Sequence, residues 1–364
     1  MTKNTYGRNI VLSIYGGSHD EEIGMHLAGF PADFTVDMDA LCAFLARRAP
    51  GGNPYGTART ERDQPLFLAG LDKFNRTTGA EIHAAIYNFN AHSTDYDFVY
   101  DTPRPGHADY AALQKYGKNV DLRGGGHFSG RLTAPLCIAG GLALQYLAAR
   151  GIRVQTHIAA IGGIEDAEIN TVTPDIAALD AISALPLPTL DREAGAKMAT
   201  AIQAARADGD SLGGIVECIV TGLPAGLGTH MFDGAEGRIA ALLYAIPAVK
   251  GVEFGAGFAA AAMKGSTHND AYTTDGTSIW TLTNNAGGIL GGMTTGAPLV
   301  CRAAFKPTPS IAKSQQTVSL SRMENTTLSV GGRHDPCIVP RALPVVEAAV
   351  ALALLDMLLD EETR

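Results

Sequence analysis

Apolar and polar residues alternate over residues 8–15 and 23–28, and again over 81–89, 152–161 and 299–305. A two-residue period of this kind predicts strands with one buried face. Gly29-Phe30-Pro31-Ala32 reads as a turn after the second strand. Helical spacing replaces alternation over 37–48, where Leu41, Phe44 and Leu45 share a face, and over 193–206. Arg47 and Arg48 fall at the C-terminal end of the first helix, where cations complement the helix dipole. Residues 133–149 are apolar on nearly every face and stop at Gly151, so they predict a helix buried on all sides. The tail over 344–359 is apolar but interrupted by Glu347 and Asp356, a packed helix rather than a membrane span.

Between these elements, residues 49–62 form a loop rich in Gly, Pro and Arg, too long for a simple connector, which suggests a mobile cover over a site. Pro186 and Pro188 mark a candidate surface linker. Ser18, Gly29, Pro31 and Ala32 recur at a constant offset as Ser211, Gly222, Pro224 and Ala225. That echo predicts one α/β domain over 1–364 made of two related halves, about 1–180 and 181–364, with a site between them lined by both serine loops.

Composition narrows the chemistry. In 364 residues, 46% hydrophobic and 18% charged describe an ordinary globular chain, and 42 glycines cluster in loops without a collagen period. A net charge of −9 argues against nucleic acid as a partner, yet arginines gather beside the glycine loops, which predicts a local cationic pocket for a small anion. Five cysteines without a Cys-x-x-Cys pair give no zinc site and no disulfide framework, and fit a reducing, cytoplasmic setting. No basic-then-apolar leader is present at the N-terminus.

The candidate chemistry centres on residues 104–131. Arg104-Pro105-Gly106-His107-Ala108-Asp109 opens the stretch, and Arg123-Gly124-Gly125-Gly126-His127-Phe128-Ser129-Gly130-Arg131 closes it against the apolar helix. Glycines let a backbone approach an anion, arginines supply fixed donors, and a helix start attracts negative charge. Further loops follow at 284–292, 306–310 and 331–337. None has the Gly-Lys-Ser/Thr end of a Walker loop or the spacing of a dinucleotide fingerprint, so a phosphorylated, carboxylated metabolite and a phosphate-bearing cofactor fit better.

Several of these stretches together resemble the chorismate synthases: the Ser18-His19 loop, residues 104–110, Lys115-Tyr116-Gly117, Gly209-Asp210-Ser211, residues 285–292, Lys306-Pro307-Thr308, and Gly332-Arg333-His334-Asp335-Pro336-Cys337. The resemblance covers essentially the whole chain. It implies a β-α-β sandwich with internal pseudo-twofold symmetry, assembled as a homotetramer, and a lyase that eliminates phosphate from 5-enolpyruvylshikimate 3-phosphate to give chorismate. It implies reduced FMN as cofactor, with NADPH or an external flavin reductase as the source of electrons. By position, His19, His107 and Asp335 would be catalytic, and Arg48, Arg104, Arg131 and Arg333 would hold substrate. His127, Phe128, Ser129, Ala248, Gly291, Lys306, Pro307, Thr308, Pro309, Ser310 and Arg333 would hold FMN, and Arg48 would meet NADP. No metal is implied.

The chain departs from the family pattern at named places. Gly17 stands where the family has Glu and Asp20 where it has Gly, while His127 and Phe128 replace an Arg and a Ser. Pro247 replaces an Asn, and Ala49 and Pro54 replace arginines. These changes keep two alternatives open: a diverged homologue with a different phosphate elimination, and a non-catalytic binding protein.

Overall fold

The alternating segments pair into two antiparallel sheets. In the computed structural model, which describes residues 4–57, 63–88, 93–332 and 334–362, the first sheet holds β1 (Thr5–Tyr6), β2 (Val11–Gly16), β3 (Glu22–Ala28), β4 (Leu66–Ala69) and β5 (Ile82–Tyr87) in the order β1-β2-β3-β5-β4. The second holds β6 (Arg153–Ile161), β7 (Ile164–Glu165), β8 (Gly214–Thr221), β10 (Val249–Phe254) and β15 (Leu299–Phe305) in the order β10-β15-β8-β6-β7. A small sheet joins β9 (Ala225–Gly228) to β13 (Ile289–Leu290) and β14 (Met293–Thr295). The hairpins β11 (Tyr272–Thr274) with β12 (Ile279–Thr281) and β16 (Gln315–Ser319) with β17 (Glu324–Leu328) stand apart.

Read from its other edge, the second sheet repeats the first, with β3 matching β8. Ser18 and Ser211 precede these two strands and Gly29 and Gly222 follow them, at φ 77° and 79°. A Cβ at Gly29 would lie 1.8 Å from the Asn9 carbonyl oxygen and one at Gly222 would lie 2.2 Å from that of Gly151. The recurring turn residues therefore mark a structural repeat, since only glycine suits both the conformation and the close approach. The chain leaves the first sheet at Tyr87 and enters the second at Arg153.

The helices are α1 (Met38–Arg48), α2 (Asp109–Tyr116), α3 (Thr133–Ala148), α4 (Ile176–Ile182), α5 (Arg192–Ala207), α6 (Ala235–Ala245), α7 (Gly265–His268) and α8 (Val339–Glu362). Helix α3 packs on α1 and α8 and on the inner faces of β3 and β5, while α8 packs on α6, β6 and β8. These central helices lie between the sheets, which explains why α3 and α8 lack a polar face. By length and composition α8 could cross a membrane (mean hydropathy 2.1), but 94% of that apolar window is buried inside the protein.

Its two buried acids are partnered rather than solvated. Glu347 takes both Nη atoms of Arg47 at 2.7 and 2.8 Å and the Thr156 hydroxyl at 2.6 Å. Asp356 accepts the backbone N–H groups of Arg8, Asn9 and Ile10 at 3.1, 2.8 and 3.0 Å, and Arg238 at 2.5 Å. A lone buried carboxylate would cost several kcal/mol, and these contacts offset it. Arg47 is thus an inter-helix ion pair more than a dipole complement. The expected linker also differs: Pro186 is exposed, but Leu187, Pro188 and Thr189 are buried and the Pro188 carbonyl accepts Ile158 N–H at 2.8 Å.

Candidate active site

A cavity of about 1450 Å³ opens between the halves, walled by residues 18–133 of the first and 246–345 of the second. One wall is the 104–109 loop. The Arg104 guanidinium forks onto Asp109 at 2.7 and 2.8 Å, and the Arg104 backbone N–H reaches the same carboxylate at 3.0 Å. Both residues are buried, so this pair shapes the loop that presents His107.

His107 sits between two groups that fix its tautomer. The Pro105 carbonyl lies 3.1 Å from Nδ1 and can only accept, so Nδ1 carries the proton, and Nε2 meets the Ser310 hydroxyl at 2.8 Å. Burial first, and then the Arg104 charge, push its pKa down to about 4. Before an anion arrives the ring is neutral and Nε2 accepts from Ser310. The 306–310 segment clamps this loop further, with Lys306 Nζ donating to the Gly106 carbonyl. Burial, then Lys250, lowers the Lys306 pKa. In the same segment Thr308 Oγ1 is buried without a hydrogen-bond partner, while the Thr308 carbonyl is held by Ser211 Oγ at 2.6 Å. Ser211 thus supports the cavity from behind, and of the two echoed serines only Ser18 reaches its wall.

His19 faces this loop from β2's end. Gly124 lies against it at φ 57°: a Cβ there would fall 2.3 Å from His19 Cε1 and 2.6 Å from Ser18 Oγ. The glycine is required by a catalytic candidate's ring, a different reason from approach to an anion. Ser129, Gly130, Arg131 and Thr133 then bring the N-terminal end of α3 to the cavity, as the sequence suggested.

Two ion-pair systems organise the cations. Asp63, buried, bridges Arg48 (Nε 2.8 Å, Nη2 2.6 Å) and Arg131. Burial alone would raise its carboxyl pKa, and Arg48 and Arg131 outweigh that and hold it below the usual range. Arg48 also donates to Thr133 Oγ1 at 3.0 Å, and Arg131 to Asn88 Oδ1 at 3.0 Å. In the second system Asp335 accepts Thr57 N–H at 2.7 Å and Arg341 Nη1 at 2.6 Å, and Arg341 Nε donates to the Arg48 carbonyl at 2.9 Å. Four arginines and Lys306 thus surround the cavity against three carboxylates, Asp63, Asp109 and Asp335. An acidic protein carries a locally cationic site.

His19, His107, Asp335, Arg48, Arg104 and Arg131 all reach the cavity wall, as do Phe128, Ser129, Ala248, Lys306, Thr308, Pro309 and Ser310. Three expected cofactor positions do not: His127, Gly291 and Pro307 are exposed and off the wall. The irregular turn over 123–128 sends Phe128, not His127, to the cavity, and Gly291 lies at the β13–β14 turn. Arg333 lies outside the described residues, as do residues 58–62 of the cover loop. Residues 49–57 are tied down by Asn53 Nδ2 to the Pro186 carbonyl at 2.6 Å and by Arg206 Nη2 to the carbonyls of Pro54 and Gly56 at 3.1 and 2.7 Å. Arg48, the expected NADP position, is buried, with a partner at each of Nε, Nη1 and Nη2. Sequence reasoning missed Asp63 and Arg341. The only signals were an acid closing an arginine-rich loop and one arginine inside an apolar run.

A further departure has a local account: a Cβ at Gly17 would lie 3.1 Å from Asp20 Oδ2, so the acid gained after His19 packs against the bare backbone where one was lost.

The comparisons with known proteins converge. The family model described as chorismate synthase matches residues 10–359. Proteins named chorismate synthase from Lancefieldella parvula (44% identical, 98% of this chain and 97% of that protein) and Methanosarcina acetivorans (42%, 99% and 97%) align over nearly the full length. A crystal structure of chorismate synthase superposes with a TM-score of 0.77 at 27% identity, covering 98% of this chain and 93% of the other. With its two matched sheets and its cationic, histidine-bearing cavity, the chain belongs to the chorismate synthase family.

Proposed function

We propose that the protein converts 5-enolpyruvylshikimate 3-phosphate to chorismate by 1,4-elimination of phosphate, in the presence of reduced FMN. The observation that carries this is a single cavity in which His19 and His107 stand among Arg48, Arg131, Arg341 and Lys306. Its volume of about 1450 Å³ exceeds the ~300–1,000 Å³ of a pocket for one small ligand, so substrate and flavin fit side by side. The fit to FMN rests on this chain's own atoms. Thr308 Oγ1 is a buried hydroxyl awaiting a partner, and Ala248 takes φ 77°, rare for alanine, at the same wall. Ser129, Ala248, Lys306, Thr308, Pro309 and Ser310 would hold the cofactor, with Phe128 against it. When bound, the reduced flavin supplies transient electron density as phosphate leaves.

The protein's residues do the rest. Arg48 and Arg131, fixed by Asp63, orient anionic groups of the substrate. His19, wedged by Gly124, is placed to donate a proton to the departing phosphate. His107 takes up a proton when an anion reaches Nε2, because an adjacent negative charge reverses the preference that burial imposes. Asp335 is held by Arg341 beside the substrate region. The homotetramer expected of the family would cover exposed apolar side chains such as Phe232 and Phe258. NADPH or an external flavin reductase supplies the electrons, and the cysteine usage favours the cytoplasm.

The test is anaerobic turnover of purified protein with substrate and chemically reduced FMN. Chorismate formation is expected. Tight flavin binding without product would identify a different elimination, and neither binding nor product a non-catalytic role.

A further inference from the structure

Arg341 stands in the first turn of α8, on the cavity wall, and its guanidinium makes two directed contacts. Nη1 donates to Asp335 Oδ2 at 2.6 Å and Nε to the Arg48 backbone carbonyl at 2.9 Å. The other oxygen of Asp335 accepts Thr57 N–H at 2.7 Å. Arg48 is the last residue of α1, where the 49–57 segment departs, and Thr57 is where its described part ends. One side chain therefore touches one end of that segment directly and the other through Asp335. The segment lies close over the pair: a Cβ at Gly56 would come 3.3 Å from Asp335 Oδ1 and 3.8 Å from Arg341 Cδ.

A planar guanidinium with fixed donors suits this task, because two bonds from one rigid fork fix the relative position of the groups that accept them. Asp335 cannot turn without releasing either Thr57 or Arg341. Arg48 cannot shift without disturbing the carbonyl that Arg341 holds, and the side chain of Arg48 is simultaneously bound to Asp63.

We propose that Arg341 is a positioning residue of this site, setting the orientation of Asp335 and anchoring both ends of the 49–57 segment to α8. The inference rests on the functional reading above for its kinetic consequence, but the anchoring has a readout of its own.

The test uses the full-length protein with Arg341→Gln, Arg341→Lys, Asp335→Asn and the two double variants. Chymotryptic cleavage after Tyr55, inside the 49–57 segment, is followed by mass spectrometry, and turnover is followed anaerobically with reduced FMN. In Arg341→Gln, cleavage of this segment should rise ~10-fold or more relative to the rest of the chain, because both anchors lose their donor geometry. Turnover should fall ~10–100-fold with substrate KM changed less than ~3-fold, as befits a residue that positions a catalytic group rather than binding substrate. Arg341→Lys, with the charge but not the fork, should recover only part of either loss. Adding Asp335→Asn to either Arg341 variant should lower turnover little beyond the larger single effect, since residues acting as a unit are not additive. Wild-type cleavage rates in the Arg341 variants, or losses that add independently to those of Asp335→Asn, would overturn the proposal. If Arg341→Gln fails to fold, Arg341→Lys and its double variant carry the same decision. If the wild type makes no chorismate, the functional reading fails while the cleavage measurement still decides the anchoring.

Discussion

Replacing Gly124 by Ala tests the site at the point where backbone and catalysis meet. The new Cβ would lie 2.3 Å from His19 Cε1 and 2.5 Å from Nδ1, against an ordinary carbon contact of ~3.5–4.0 Å. The ring must retreat by more than ~1 Å, and a displacement of that size costs on the order of 10²-fold in rate. The backbone adds a separate effect, because alanine at φ 57° is disfavoured by about 1–2 kcal/mol. Gly125 separates the two. It has φ 91°, yet its nearest foreign atom would be Ser129 Cβ at 3.6 Å, an ordinary contact. Gly125→Ala should therefore lose comparable stability with little loss of turnover, whereas Gly124→Ala should lose both. Denaturant unfolding and anaerobic turnover of the two variants make the comparison. Turnover of Gly124→Ala within ~3-fold of wild type, or equal catalytic losses in both variants, would refute the placement of His19.

Thr308→Val removes a buried hydroxyl without a hydrogen-bond partner, so the flavin-free protein should be as stable as wild type or more so. FMN affinity measured by fluorescence should fall up to ~10-fold, whereas exposed His127→Arg should leave it unchanged, and an unaltered affinity in Thr308→Val would contradict the cofactor site. His107, with its pKa pushed down to about 4, is neutral near pH 6.5, so binding of a phosphate-bearing ligand should take up a proton. Calorimetry in two buffers of different ionisation enthalpy measures this, and the same uptake in His107→Asn would assign the proton elsewhere. His157 behaves oppositely: burial would lower its pKa, but Asp166 and Glu217 raise it to about 9. Its stabilisation is full below about pH 6.5 and is lost as pH rises through about 9, on the order of 3 kcal/mol in total. Thermal unfolding from pH 6 to 10 should show that decline in wild type and not in His157→Gln.

Local patterns were legible where one face or every face decides the outcome. The all-round apolar run after Arg131 became α3 with nearly its expected ends, and the echoed Gly29 and Gly222 marked equivalent turns. What failed were inferences that needed a distant partner. Arg47 meets Glu347 across a separation of 300 residues, so a helix-end explanation looked sufficient. Glu347 and Asp356 looked like interruptions of an apolar tail because their partners lie far off in sequence: Arg47 for Glu347, and Arg238 with the backbone of residues 8–10 for Asp356. The glycine loop was recognised as part of the site, but Gly124 answers to His19, a contact no spacing rule contains. That Phe128 rather than His127 lines the cavity was not legible, because an irregular turn has no periodicity from which to read a side chain's direction.

The position of α8 also bears on how the protein is made. Helix α8 follows both sheets in the chain, and its Asp356 must find the backbone of residues 8–10, from 346 to 348 residues earlier. Both sheets are therefore synthesised before their shared core exists, with inner faces exposed. Contacts of such long sequence range are slow to form and leave intermediates open to aggregation. A chain truncated before residue 339 would leave the inner faces of β6 and β8 without the helix that packs on them.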